Sequence, residues 1–223
     1  MEVIIPDTHL IAVIPQIIIL SGASVILWMS FLTPGLRKSF SFLTFGICVA
    51  SILAMVLTWN DKGSYFSGMI TLDVFTKVFN ILILAGSALI SLLTHRVVEE
   101  KKSGEFYSII LLSTLGMMVM ASSQHLLVIY LGLEILSIGL YILIGMNRTQ
   151  VRALESAMKY FLLGAFASGF FLYGIALTYG ATGSMDLIKI NNFLTTHNLL
   201  GDALMLTGTG LIFVGLAFKI TMG

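Results

Sequence analysis

Seven apolar stretches, each about as long as a bilayer is thick, make up most of this 223-residue chain. A helix needs about 20 apolar residues to cross a hydrocarbon core roughly 30 Å thick. In lipid, only helices and closed barrels satisfy every backbone polar group, and these stretches are far too long for barrel strands. The chain is therefore read as an all-α integral membrane protein, a single membrane domain over residues 1–223. Spans are expected over about 10–32, 39–59, 72–94, 106–122, 126–146, 153–179 and 203–223. Composition agrees: 57% of residues are hydrophobic and only 10% are charged, against about 25% charged in soluble domains. A net charge of +1 offers no electrostatic footprint for nucleic acid. The single cysteine, Cys48, can form neither an internal disulfide nor a cysteine metal cluster. No basic residue precedes the first apolar run, so a retained span is expected there and not a cleaved signal peptide.

Lysine and arginine placement orients the bundle. The loops after the first, third and fifth spans hold Arg37, Lys38, Arg96, Lys101, Lys102, Arg148 and Arg152, whereas those after the second, fourth and sixth hold Lys62 and Lys189. Positive loops face the cytoplasm, so the N-terminus is expected outside. The 180–202 stretch reads as a long polar connection. The last apolar run reaches Gly223 without a polar flank, which is expected of a chain truncated in its seventh helix. No internal repeat is evident.

Three lysines and two acids fall inside spans: Lys77, Lys159, Lys219, Asp73 and Glu134. Charge at membrane depth is costly and marks functional sites by default. Glu134 sits near the middle of the fifth span, roughly 12 Å from either end, too far to snorkel. It is either a protonated glutamate hydrogen-bonded in the bundle or a carboxylate paired with a cation and able to carry protons. Lys159, on the next span across a short loop, is its natural partner, although simple rise makes it shallower by about 5–10 Å. A snorkelling lysine near a helix end is the plain alternative. Lys219 lies late in the seventh span, behind Gly208, Gly210 and Gly215, which could loosen or break that helix and leave polar groups at the midplane; snorkelling inward is again the alternative. Asp73 and Lys77 are four apart and share a helix face, which favours a structural ion pair near the interface over a relay. Burial disfavours the charged form of any such group and pairing restores it, so a lysine beside a titratable carboxylate has the coupled equilibria that a proton relay needs.

Other signals are weaker. Gly164, Ala165, Ser168, Gly169 and Gly174 form small-residue spacings suited to close helix packing. The four histidines are scattered and lack metal-ligand spacing; His125, at a span entrance, reads as a plain interfacial residue, with feeding of protons as the alternative. Gly208-x-Gly210 is no dinucleotide fingerprint, having neither a third glycine nor a preceding strand.

Together these residues resemble a known family. The 130–141 stretch, Tyr-Leu-Gly-Leu-Glu-Ile-Leu-Ser-Ile-Gly-Leu-Tyr, is similar to the fifth-helix signature of the antiporter-like subunits of respiratory complex I. The 155–169 stretch, Glu-Ser-Ala-Met-Lys-Tyr-Phe-Leu-Leu-Gly-Ala-Phe-Ala-Ser-Gly, resembles their sixth-helix signature. Leu172-Tyr173-Gly174-Ile175 and the 179–184 stretch, Tyr-Gly-Ala-Thr-Gly-Ser, are most similar to the subunit N branch, and Gly215-Leu216-Ala217-Phe218-Lys219 to the family's broken seventh helix. The resemblance implies the first half of an antiporter-like inverted-repeat fold, lacking the later helices. It implies that Glu134 and Lys159 form the pair that modulates a proton channel and that Lys219 lies on its hydrated axis. It implies no cofactor in this chain: quinone, FMN and iron–sulfur clusters belong to partner subunits. Implied partners are the other membrane-arm subunits of NADH-quinone oxidoreductase and the lipid bilayer, with no nucleic acid, in a bacterial inner membrane. Two other readings stand beside a proton-translocating subunit: a subunit of a multi-subunit cation/proton antiporter, and a non-pumping structural half-subunit. The 179–184 stretch favours the first. Half a subunit is not expected to translocate protons unaided.

Overall fold

In the computed structural model residues 10–33, 39–197 and 202–221 are described, apart from the side chains of Ile11, Lys101 and His197. Arg37, Lys38 and His9 lie outside them. The described residues form eight α-helices: α1 (Ile14–Leu32), α2 (Phe40–Leu57), α3 (Val74–Leu93), α4 (Ser103–Ala121), α5 (Leu126–Ile144), α6 (Val151–Thr182), α7 (Leu187–His197) and α8 (Ala203–Thr221). Among the described residues, α1 to α6 and α8 are long and apolar enough to cross a membrane. They fall into two compact units, Met1–Ser122 and Ser123–Gly223, where the sequence suggests one domain.

Local chemistry fixes several ends. Pro15 stands in the first turn of α1, where its missing N–H has no helical partner to lose. Asp73 caps α3, its carboxylate accepting from the Thr76 N–H at 2.6 Å. Asp186 does the same for α7, accepting from the Ile188 and Lys189 amides, so the connection expected to be polar loop carries a helix. A hairpin that the sequence reading also missed, β1 (Gly63–Tyr65) with β2 (Ile70–Leu72), lies between α2 and α3.

The first unit buries hydroxyls beside an apolar core and is apolar outside as well. α1 packs on α2 and α4, and α3 on α2 and α4. Between helices, Ser41 Oγ donates to the Ser91 carbonyl at 2.6 Å, Ser51 Oγ to Pro15 at 3.0 Å and Ser108 Oγ to Ala23 at 3.0 Å. Meanwhile Trp28, Phe31, Leu57 and Leu93 face outward. Small residues and hydroxyls at helix contacts are what hold helices together when lipid removes the hydrophobic drive between them.

In the second unit α6 is the spine. At 32 residues it is about 48 Å long, more than a bilayer core requires. Both α5 and α8 pack against it. The α8 contact needs a glycine: a Cβ on Gly215 would lie 2.7 Å from Phe171 Cβ and 2.8 Å from the Ala167 carbonyl oxygen. α8 runs unbroken through Gly208, Gly210 and Gly215, which corrects the expected break. These glycines leave the backbone ladder intact, and Gly208 and Gly215 are buried against α6.

Candidate functional site

The site is assembled by α5, α6 and α8. On α5, Glu134 and Ser137 are three apart and share a face. On α6, Gly164 and Ser168 form the buried stripe that faces α5. On α8, Lys219 follows Gly215 by one turn, so the residue that permits close approach also aims the lysine at the same neighbours.

The lysine ammonium meets the glutamate here. Lys219 Nζ lies 2.5 Å from Glu134 Oε1 and donates to Ser137 Oγ at 3.0 Å. Ser168 Oγ donates to the same Glu134 oxygen at 2.5 Å. Ser137 and Ser168 are buried, and the Lys219 and Glu134 side chains are 10% and 23% exposed. A charge-assisted pair supported by two hydroxyls is the arrangement that makes a buried ion pair tolerable.

Lys159 is not part of it. Its Nζ pairs with Glu155 at 2.5 Å, one turn away on the same helix, and its side chain is 69% exposed. The Glu134–Lys159 pair expected from the sequence is thus replaced by Glu134–Lys219. The reason is rotational: nine residues separate Lys159 from Ser168, and at about 100° each they point to opposite sides of α6. Depth arithmetic along the helix axis could not show this. Ser137 and Ser168 were missed as site residues, Ser168 having been read as packing alone. The available signal was a hydroxyl three residues after Glu134 and another on the glycine stripe.

The Asp73–Lys77 pair also gives way. Asp73 is occupied with its cap, and Lys77, 1% exposed, donates instead to the carbonyls of Thr58 at 2.7 Å, Trp59 at 2.8 Å and Asp61 at 2.5 Å. It closes the C-terminal end of α2, where orphan carbonyls and the helix dipole favour a cation. Near it, Asn80 and Gln16 both donate to Ser122 Oγ, at 2.9 and 3.4 Å. His125 is half-buried at the start of α5. Among the described residues, no three His, Cys, Asp or Glu side chains converge as a metal site would require.

Residues 123–223, which contain the whole site, match the family described as NADH:quinone oxidoreductase/Mrp antiporter, TM. NADH-quinone oxidoreductase subunit N of Alkalilimnicola ehrlichii is 39% identical over 223 residues, covering 98% of this chain and 45% of that protein. This chain belongs to the NADH-quinone oxidoreductase subunit N family. The subunit N of Trichlorobacter lovleyi is 38% identical over 95% of this chain and 44% of its own length. A chain of respiratory complex I from Thermus thermophilus with bound aureothin superposes with a TM-score of 0.71 and 34% identity, over 92% of this chain and 44% of that one. The present chain spans about half the length of the subunit N relatives it matches.

Proposed function

We propose that this chain forms part of a proton-translocating membrane-arm subunit of a respiratory NADH-quinone oxidoreductase. It works alongside other membrane-arm subunits in a bacterial inner membrane, with its N-terminus outside. Redox groups reside in partner subunits and none in this chain. The observation that carries the reading is the ion pair of Lys219 with Glu134 inside membrane-spanning helices, held by Ser137 and Ser168. A carboxylate and an ammonium in contact are electrostatically coupled, so a change of charge at one alters the charge favoured at the other. Subunit N relatives favour this reading over a cation/proton antiporter subunit. Lysine and arginine asymmetry between loops supports the orientation.

The test places Glu134→Ala and Lys219→Ala separately in the full-length subunit within the assembled oxidoreductase and follows quinone-dependent proton uptake into vesicles. Each change is expected to lower pumping about tenfold or more, because removing one partner strands the other charge at depth. Wild-type pumping in both variants would leave a structural role alone.

A further inference from the structure

Two buried amides in the first unit are only half used. Gln16, in the first turn of α1, and Asn80, in the second turn of α3, are 6% and 0% exposed. Both turn their NH2 groups to Ser122 Oγ, at 3.4 and 2.9 Å. That hydroxyl commits its own proton to the Met118 carbonyl at 2.7 Å and has none to return. Gln16 Oε1 and Asn80 Oδ1 are buried, and among the described residues neither has a hydrogen-bond partner. An amide oxygen taken out of water without a donor is costly, so two of them facing one hydroxyl call for an explanation.

The helix arrangement provides a place for a ligand. α1 and α3 each pack on α2 and α4, and they stand across the bundle from one another. The two amides reach inward from these opposite helices and meet at Ser122, the residue that closes α4. Strand β2 covers the same end: the Thr71 N–H donates to the Ser122 carbonyl at 2.8 Å, and Leu72 is buried. The chemistry of the two acceptors then selects the ligand. Two amide oxygens complement the two O–H donors of a water molecule, and a buried water is held by two to four such polar partners. A metal cation also takes amide oxygens. Lys77, however, is buried one turn before Asn80 on the same face of α3, and its positive charge disfavours a second cation while leaving a neutral ligand unopposed.

We propose that Gln16 and Asn80 form a binding site for one ordered water molecule. It donates to both amide oxygens and so ties α1 to α3 across the bundle, where the two helices do not pack on each other. The site belongs to the first unit alone and does not depend on the Lys219–Glu134 pair carrying protons.

The sign of one substitution tests this in the full-length subunit within the assembled oxidoreductase. Gln16→Met keeps the side-chain length and removes the amide, and only the long 3.4 Å bond to Ser122 goes with it. With a water bound, the change leaves both the water and Asn80 short of a partner, and the subunit's thermal unfolding midpoint is expected to fall by about 2–4 °C. With no water bound, an apolar replacement relieves the desolvation of an orphaned amide, so an unchanged or raised midpoint would overturn the proposal. Once Asn80→Leu has removed the other acceptor, adding Gln16→Met is expected to cost little more; full additivity would speak against a shared ligand and overturn it too. A cryo-EM map of the wild-type complex that resolves ordered waters reads the site without any variant. Density is expected at about 2.5–3.0 Å from both oxygens, and its absence would sink the assignment. Exchange of sodium for potassium in the buffer is expected to leave the midpoint unmoved, whereas a rise specific to sodium would make the ligand a monovalent cation and overturn the water.

Discussion

Among the described residues each unit shields one lysine inside its helices, and the two are treated in opposite ways. Lys77 in the first unit gives all three ammonium donors to the carbonyls of Thr58, Trp59 and Asp61. Carbonyls are fixed dipoles that take up no proton, so this lysine ties α3 to the end of α2 through acceptors that cannot relay its proton. Lys219 in the second unit faces Glu134, an acceptor that can itself be protonated, and lines a cavity of about 70 Å³. Burial of a lysine alone therefore does not mark a proton site. The chemistry of its acceptors does, and a default reading of intramembrane charge as functional must be checked against them.

The contrast can be broken at either lysine. The largest expected effect on stability is at Lys77. Replacing it with methionine leaves three carbonyls without their donor and is expected to destabilise the first unit by at least about 2 kcal/mol. This would be seen as a lower melting temperature and faster proteolysis between α2 and α3, while each complex that does assemble pumps at the wild-type rate. A pumping defect without a stability loss would mean that Lys77 acts as Lys219 does. A smaller effect is expected at Gly215. Alanine there overpacks α8 against α6, with a cost of about 1–3 kcal/mol. By shifting Lys219 one turn away, it should lower pumping less than Glu134→Ala does. Unchanged melting and pumping together would mean that the α6–α8 approach does not set the lysine's position.

Much of the fold was legible in the sequence because membrane physics reduces it to length and polarity. The apolar runs gave the spanning helices, and the small residues of α6 marked a packed stripe, although Ala165 and Gly169 turned out to be exposed while Gly164, Ser168 and Gly174 are buried. What failed was assignment of partners. Asp73 was paired with Lys77 by i,i+4 spacing, but Asp73 is the cap of α3, in extended geometry outside the helical turn. Lys159 was paired with Glu134 by chain proximity and depth, but it lies on the far side of α6. Lys219 is 85 residues from Glu134 in sequence, and only the packing of α8 on α6 brings them together. Short elements were missed for a related reason: the hairpin and α7 are set by local capping and turn chemistry, which hydropathy does not register.

The central claim is that Glu134 works with Lys219 and not with Lys159. A double-mutant cycle on proton pumping in the assembled complex tests it directly, combining Glu134→Gln with Lys219→Met in one arm and with Lys159→Met in the other. The Glu134–Lys219 arm is predicted to depart from additivity by at least about 1.4 kcal/mol, a tenfold rate factor. The Glu134–Lys159 arm is predicted to be additive within about 0.5 kcal/mol, as fits an exposed lysine paired to Glu155 on its own helix. Additivity in the first arm with strong coupling in the second would contradict the account.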